Sequence, residues 1–265
     1  MLFRLSNVAF FLVVFAVVAG ATAAGIVAGR SLGRRHETIR ESVGAAQGAL
    51  LGFVALLLAF GLTMAVGRYE ADRAAVVNEA NAVGTVYLRA QTLPEPLRSQ
   101  KLVLLRQYTD ARLALSGAVP STAGFKKAVA DANTIQNQLW GLAGTALDND
   151  PSGSATRLYV ESLNDMIDMH TTRISALGNR VPTTVVYLQL VGGSFAVGLL
   201  AMYLAMLHRS VFTALFAAGM VLVILLVTFD LDRPRRGLIT VPSTPLAALR
   251  ASMDQPSPAQ PPTPR

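Results

Sequence analysis

Residues 43–67 read VGAAQGALLGFVALLLAFGLTMAVG, a run without a single charged side chain. About 20 helical residues cross the hydrocarbon core of a bilayer, so this stretch predicts a membrane span. Three other runs share its character, at about 8–29, 183–207 and 211–229. The first could also serve as a signal peptide, with Arg4 as its positive region and Ala21-Thr22-Ala23 resembling a cleavage site. Its apolar run continues to Gly29, longer than the apolar part of a signal peptide, so a retained span is expected. Composition agrees with a membrane class. The chain is 52% hydrophobic and 15% charged, against about 25% charged in ordinary soluble domains.

Between the second and third runs the pattern changes. Residues 68–182 are polar and periodic, with four helix-length stripes. The first carries Val76, Val77, Ala80, Val83 and Tyr87 and stops before Pro94 and Pro96. The second carries Leu97, Leu104, Leu105, Tyr108 and Leu115, closed by Gly117 and Pro120. In the third, capped by Ser121, Phe125, Ala132, Leu139 and Ala146 recur at sevens, interleaved with Val129, Ile135 and Leu142. That is a coiled-coil-like seam. The fourth, capped by Ser154, carries Tyr159, Leu163, Met166, Ile167, Ile174 and Leu177. Apolar stripes at helical spacing joined by short turns predict an up-and-down bundle, and no segment alternates as a strand would.

The expectation is therefore an all-α membrane protein with four transmembrane helices and a four-helix extramembrane bundle between the second and third. Residues 1–67 form the first hairpin, with spans at about 8–29 and 43–67. Residues 68–182 form the bundle. Residues 183–229 form the second hairpin, with spans at about 183–207 and 211–229. A juxtamembrane segment covers 230–253. The tail 254–265 is too rich in Pro, Gln and Ser to order itself.

The net charge of +7 lies mainly in arginines beside apolar runs (Arg30, Arg34, Arg35; Arg233, Arg235, Arg236). There they anchor helix ends and meet lipid headgroups, which reads against a nucleic-acid partner. Short loops carry five arginines on one side of the membrane and membrane-near termini carry four on the other, so charge asymmetry does not orient the chain. With no cysteine, disulfides, thiolate metal sites and cysteine nucleophiles are excluded.

Within the spans, Gly44, Gly48 and Gly52 recur every fourth residue, and Gly25 and Gly29 do the same in the first run. Small residues at this spacing let helices approach closely in lipid. Phe53, Phe60 and Met64 share one face of the second span and form a candidate pore constriction, since apolar rings gate by dewetting. No Asp, Glu, Lys or Arg sits mid-membrane, which reads against an ion-coupled transporter. Arg68 and Glu70 follow the second span; Asp230, Asp232 and Arg233 follow the fourth. They are candidates for headgroup anchoring, ion pairing or a charged ring at a pore entrance. Glu161, Asp165 and Asp168 share a helix face without the Glu-x-x-His steps of a di-iron bundle. No phosphate loop, nucleophile elbow or zinc-protease motif is present. No catalytic residue, metal site or cofactor is expected, and the chain does not read as an enzyme.

The fourth span ends in Phe229-Asp230-Leu231-Asp232-Arg233-Pro234-Arg235-Arg236-Gly237-Leu238-Ile239, with Pro245-Leu246 beyond it. Earlier come Arg68-Tyr69-Glu70 and the run from Glu79 to Thr85. Over about residues 40–252 this resembles the bacterial bestrophin-like membrane family, a domain of unknown function. The Leu-Asp-x-Pro-x-x-Gly-Leu-Ile stretch is the most specific part. Bestrophins proper are pentameric anion channels with four spans, large cytosolic helical parts and a pore lined by the second span. After the last span they carry an acidic-x-Pro-Phe-Gly stretch and then Leu-Pro-Leu. Asp232, Pro234, Gly237, Pro245 and Leu246 fall in similar places, with Arg235 where those proteins have Phe and one more residue before Gly237. The resemblance implies a multi-pass protein of the bacterial inner membrane, a homo-oligomer, a pore along the second span and anions as its permeant partners. The competing reading is a membrane sensor or scaffold whose bundle binds a ligand or partner protein.

Overall fold

The computed structural model describes residues 7–32, 37–120, 122–178, 181–233 and 237–255. Ser121, Pro234, Arg235, Arg236 and the tail from residue 256 lie outside the described residues. Eight helices appear and no strand among the described residues: α1 (Asn7–Leu32), α2 (Glu37–Ala90), α3 (Leu97–Gly117), α4 (Ala123–Asn149), α5 (Ser154–Gly178), α6 (Thr183–Met206), α7 (Phe212–Leu231) and α8 (Thr244–Ser252). Helices α1, α2, α6 and α7 are long and apolar enough to cross a membrane. The four expected spans fall on them; α6 and α7 end within a residue or two of expectation, α1 runs three residues farther, and α2 begins six residues before the expected span and continues unbroken 23 residues beyond it. The chain divides into two compact units. The first holds residues 1–69 and 180–239, the second residues 70–179 and 240–265.

In the first unit, α1 buries Phe10, Val14, Val18, Thr22, Gly25 and Gly29 at steps of three and four. Phe10 stacks on Phe229 of α7, with ring centroids 3.3 Å apart and planes 8° from parallel. A Cβ on Gly25 would run into the Gly198 carbonyl oxygen of α6, and one on Gly29 into the Met202 carbonyl oxygen. These glycines therefore set how close the two backbones come. Gln189 of α6 donates its side-chain amide to the Leu57 carbonyl of α2 at 3.0 Å, and a side chain at Gly61 would occupy the space of that amide. This is the polar glue that lipid-embedded helices use. The α6–α7 turn closes with a Schellman arrangement. The Arg209 amide donates to the Leu204 carbonyl at 3.1 Å and the His208 amide to the Ala205 carbonyl at 3.2 Å. His208 adopts φ 51°, the left-handed position of that motif.

The second unit packs the C-terminal part of α2 with α3, α4, α5 and α8. Its core holds Val83, Val86, Tyr87, Leu105, Tyr108, Leu139, Tyr159, Leu163 and Met166. Thr122, beside the expected cap Ser121, accepts the Phe125 amide at 3.2 Å and caps α4. Helix α8 seats Leu246 against Val76 and Ala80. The Met253 carbonyl beyond it accepts from the Tyr87 hydroxyl at 3.0 Å and from Arg106 at 2.7 Å.

The structure corrects the stripes of four helices. Val77, expected inside, is 38% exposed, while Glu79 on the neighbouring face is fully buried. On α4 the buried line is Ala128, Ala132, Gln136, Leu139, Ala143 and Ala146. Phe125, Val129, Ile135 and Leu142 are only half-buried, because the true line is built from small alanines and from Gln136, which donates to the Tyr108 hydroxyl at 3.2 Å. On α3 and α5, Lys101, Arg112, His170 and Arg173 are buried beside the expected apolar residues.

Two predictions follow from this packing. Gly25→Val must push α1 off α6, and should cost the first unit at least about 1–3 kcal/mol, read as a lower thermal midpoint in detergent. Lys101 is fully buried and has no hydrogen-bond acceptor among the described residues; its ammonium lies 4.1 Å from the Tyr159 ring centroid. Burial lowers its pKa to about 8, from 10.5. The unfolded chain binds the extra proton between those values, so wild-type stability rises as pH goes from about 8 to 10.5. Lys101→Met should be the more stable protein at pH 7, with the gap in midpoint closing across that interval. A gap that stays constant with pH would refute the assignment.

Candidate functional site

Helix α2 shows two opposed faces in the first unit. Val54, Leu58, Gly61 and Ala65 recur at steps of four, three and four and are buried. Phe53, Phe60 and Met64 lie seven and eleven residues along the helix, within about 20° of one line at 100° per residue. They are 60%, 60% and 40% exposed. Leu56 is exposed beside them. The three candidate constriction residues thus form one apolar ridge left largely open by the described residues. Of the candidate packing glycines, Gly44 faces the Tyr203 ring, whose nearest atom would lie 2.9 Å from an added Cβ. Gly48 and Gly52 face open space.

The residues after the last span have a different character. The Asp230 carboxylate accepts the Leu238 and Ile239 amides at 2.9 and 2.8 Å, one on each oxygen. Asp232 accepts the Val181 amide at 2.8 Å and is buried. The Arg233 guanidinium lies 3.9 Å from the Phe229 ring centroid, and the Gly237 amide donates to the Arg233 carbonyl at 3.0 Å. A Cβ on Gly237 would lie 2.6 Å from a carboxylate oxygen of Asp230 and 2.8 Å from its carbonyl. The acid, the cation and the glycine of this motif therefore build a turn, the two acids holding main-chain donors left over at a helix end and its continuation. Arg68 is half-buried and Glu70 exposed.

A second constellation lies in the core of the other unit. Glu79 of α2 is flanked by Arg112 of α3 and Arg173 of α5, each guanidinium meeting a different carboxylate oxygen. Arg173 also donates to the Ser116 hydroxyl at 2.7 Å. All three charged side chains are buried. His170 sits beside Tyr108 at 6.4 Å between ring centroids. Burial, aided by Arg112, lowers its pKa to about 4, so the imidazole is neutral. The cluster escaped the sequence reading, although a signal exists. Glu79 lies three residues after Val76 and four before Val83; Arg112 lies four after Tyr108 and three before Leu115. A charge on an apolar stripe in each of two helices foretells a buried pair. By contrast Glu161, Asp165 and Asp168 are exposed, and no metal-ligand group occurs among the described residues.

Residues 10–246 match the family model of the bestrophin-like domain. The fold is shared with crystal structures of a bacterial bestrophin homologue from Klebsiella pneumoniae. One superposes with a TM-score of 0.69 at 14% identity, covering 89% of this chain and 96% of that one. A point variant of the homologue reaches 0.72 at 14% identity, covering 94% and 97%. No curated protein sequence matches the chain.

Asp230→Ala removes two hydrogen bonds from exposed amides that water can satisfy, and should cost about 0.5–1.5 kcal/mol. Gly237→Ala should be comparably harmful, through its clash with the same carboxylate. Detergent melting curves of both variants check this, and wild-type midpoints would show that the turn is not structural.

Proposed function

Because the chain belongs to the bestrophin-like domain family, we propose that it forms a homo-oligomer in the bacterial inner membrane and passes anions through an axial pore lined by α2. The observation that carries this reading is the uncovered ridge of Phe53, Phe60 and Met64. Eleven residues of helix span about 16 Å, enough for successive apolar rings once several copies surround an axis. Such rings let ions pass when wetted and hold them back when dry. The segment 68–182 is then a water-exposed bundle that joins the subunits, placed on the cytosolic side by analogy with the family's namesakes. Glu70, exposed, and Arg68, half-buried, bias the charge near the pore mouth, while Asp230, Asp232 and Arg233 shape the turn.

The reading is tested by the mass of the detergent-purified protein, with anion flux measured in vesicles from the same preparation. Pentamers with flux support it. A monomer or dimer without flux overturns it, and moves attention to the helical bundle as a binding module. Within an active preparation, Phe53→Ala and Phe60→Ala should each raise anion leak severalfold. Unchanged leak in both variants would remove these rings from the conduction path.

A further inference from the structure

The buried cluster of the second unit does not balance its charge. Two guanidiniums face one carboxylate, Glu79. Both carboxylate oxygens are used, one by Arg112 and one by Arg173. Arg173 finds a further acceptor in Ser116. Arg112 is 0% exposed, and its two terminal nitrogens have no acceptor among the described residues. The other groups around it add no negative charge. His170 is neutral, with its Nδ1 unpartnered. Tyr108 keeps its phenol proton, because burial raises its pKa far above the ordinary range, and its hydroxyl receives the Gln136 amide. An enclosed, uncompensated cation is among the least favourable arrangements in a folded protein. A guanidinium edge with two free donors is also a ready receptor for an anion.

We propose that the free edge of Arg112 binds a small monovalent inorganic anion of the halide class, enclosed by α2, α3 and α5. The anion neutralises the cluster and completes the hydrogen bonds of Arg112. Burial, then Arg112 and Arg173 against the opposing pull of Glu79, hold the His170 imidazole below its usual range, so it adds no compensating charge. The site lies among the core residues of the second unit rather than on the membrane face of α2. It does not depend on the chain conducting ions.

Trp140, the single tryptophan, sits on α4 in this unit and reports its unfolding. The full-length protein in detergent is melted at fixed ionic strength while gluconate is replaced stepwise by chloride. A ligand held only by the folded state raises the midpoint with the logarithm of its concentration. The wild type should follow this law for chloride and bromide, and sulfate at equal ionic strength should not reproduce it. Arg112→Met leaves one Glu–Arg pair and should lose the halide response. Arg112→Lys, which keeps the charge without the two-pronged edge, should weaken the apparent affinity about tenfold and provides the test should the methionine variant fail to fold. Glu79→Gln doubles the excess charge and should bring the same rise in midpoint at a lower chloride concentration. A wild type indifferent to halide, or a response unchanged in the Arg112 variants, overturns the proposal.

Discussion

Helices in a bilayer gain nothing from the hydrophobic effect when they meet, because lipid tails are as apolar as their side chains. The first unit is therefore governed by how closely α6 can be approached. Gly25 and Gly29 bring α1 against the Gly198 and Met202 carbonyls, with van der Waals contact as the attraction. Farther along α6, Gln189 reaches a main-chain carbonyl of α2 over Gly61. Gly193 admits Val221 of α7, whose methyl would lie 2.9 Å from an added Cβ. Each neighbour meets α6 where one of the partners lacks a side chain. Small residues here do what large apolar ones do in a water-soluble core.

The second unit obeys the opposite economy. Its aromatic and aliphatic stripes exclude water in the ordinary way, and burial of Tyr87, Tyr108, Tyr159 and Leu139 supplies the driving force. Against that gain stand three buried ionic groups in contact and a fourth, Lys101, whose nearest relief is an aromatic face. Buried ions rarely add stability over well-packed apolar side chains. What Glu79 does is join α2, α3 and α5 at one point, since a slip of any of the three helices would strand a charge.

Much of the fold was legible in the sequence because the membrane imposes one rule on length and another on charge. Runs free of Asp, Glu, Lys and Arg fall on the four helices long and apolar enough to cross a membrane, although α2 continues far past its apolar run to Ala90, and Pro94, Pro96 and Pro151 fall between helices. The faces within the second unit were less legible. Pattern reading assigns charge to water, so Glu79, Arg112 and Arg173 were passed over although they sit on the apolar stripes. On α4 the large residues suggested a seam through Phe125 and Val129. The packed line instead runs through Ala128 and Ala143, whose small side chains give little signal. At the candidate site, Phe53, Phe60 and Met64 share a line by spacing alone. Among the described residues little lies against them, and spacing alone does not say what they face.

The glycines of α1 and α2 look alike in sequence and answer to different neighbours. At Gly25 and Gly29 of α1 the space of the missing side chain is filled by α6. Gly48 and Gly52 of α2 have empty space where a side chain would be, about 100–140° around the helix from the Phe53 ridge. A glycine inside a helix costs roughly 1 kcal/mol relative to alanine. Lipid returns nothing for that cost, since an acyl chain packs as readily on an alanine. A helix from another copy does return it, because a missing side chain lets two backbones approach. In the proposed oligomer the same arrangement that turns Phe53 and Phe60 toward an axis brings the neighbouring α2 helices onto Gly48 and Gly52. The open glycines and the uncovered ridge are then two consequences of one interface.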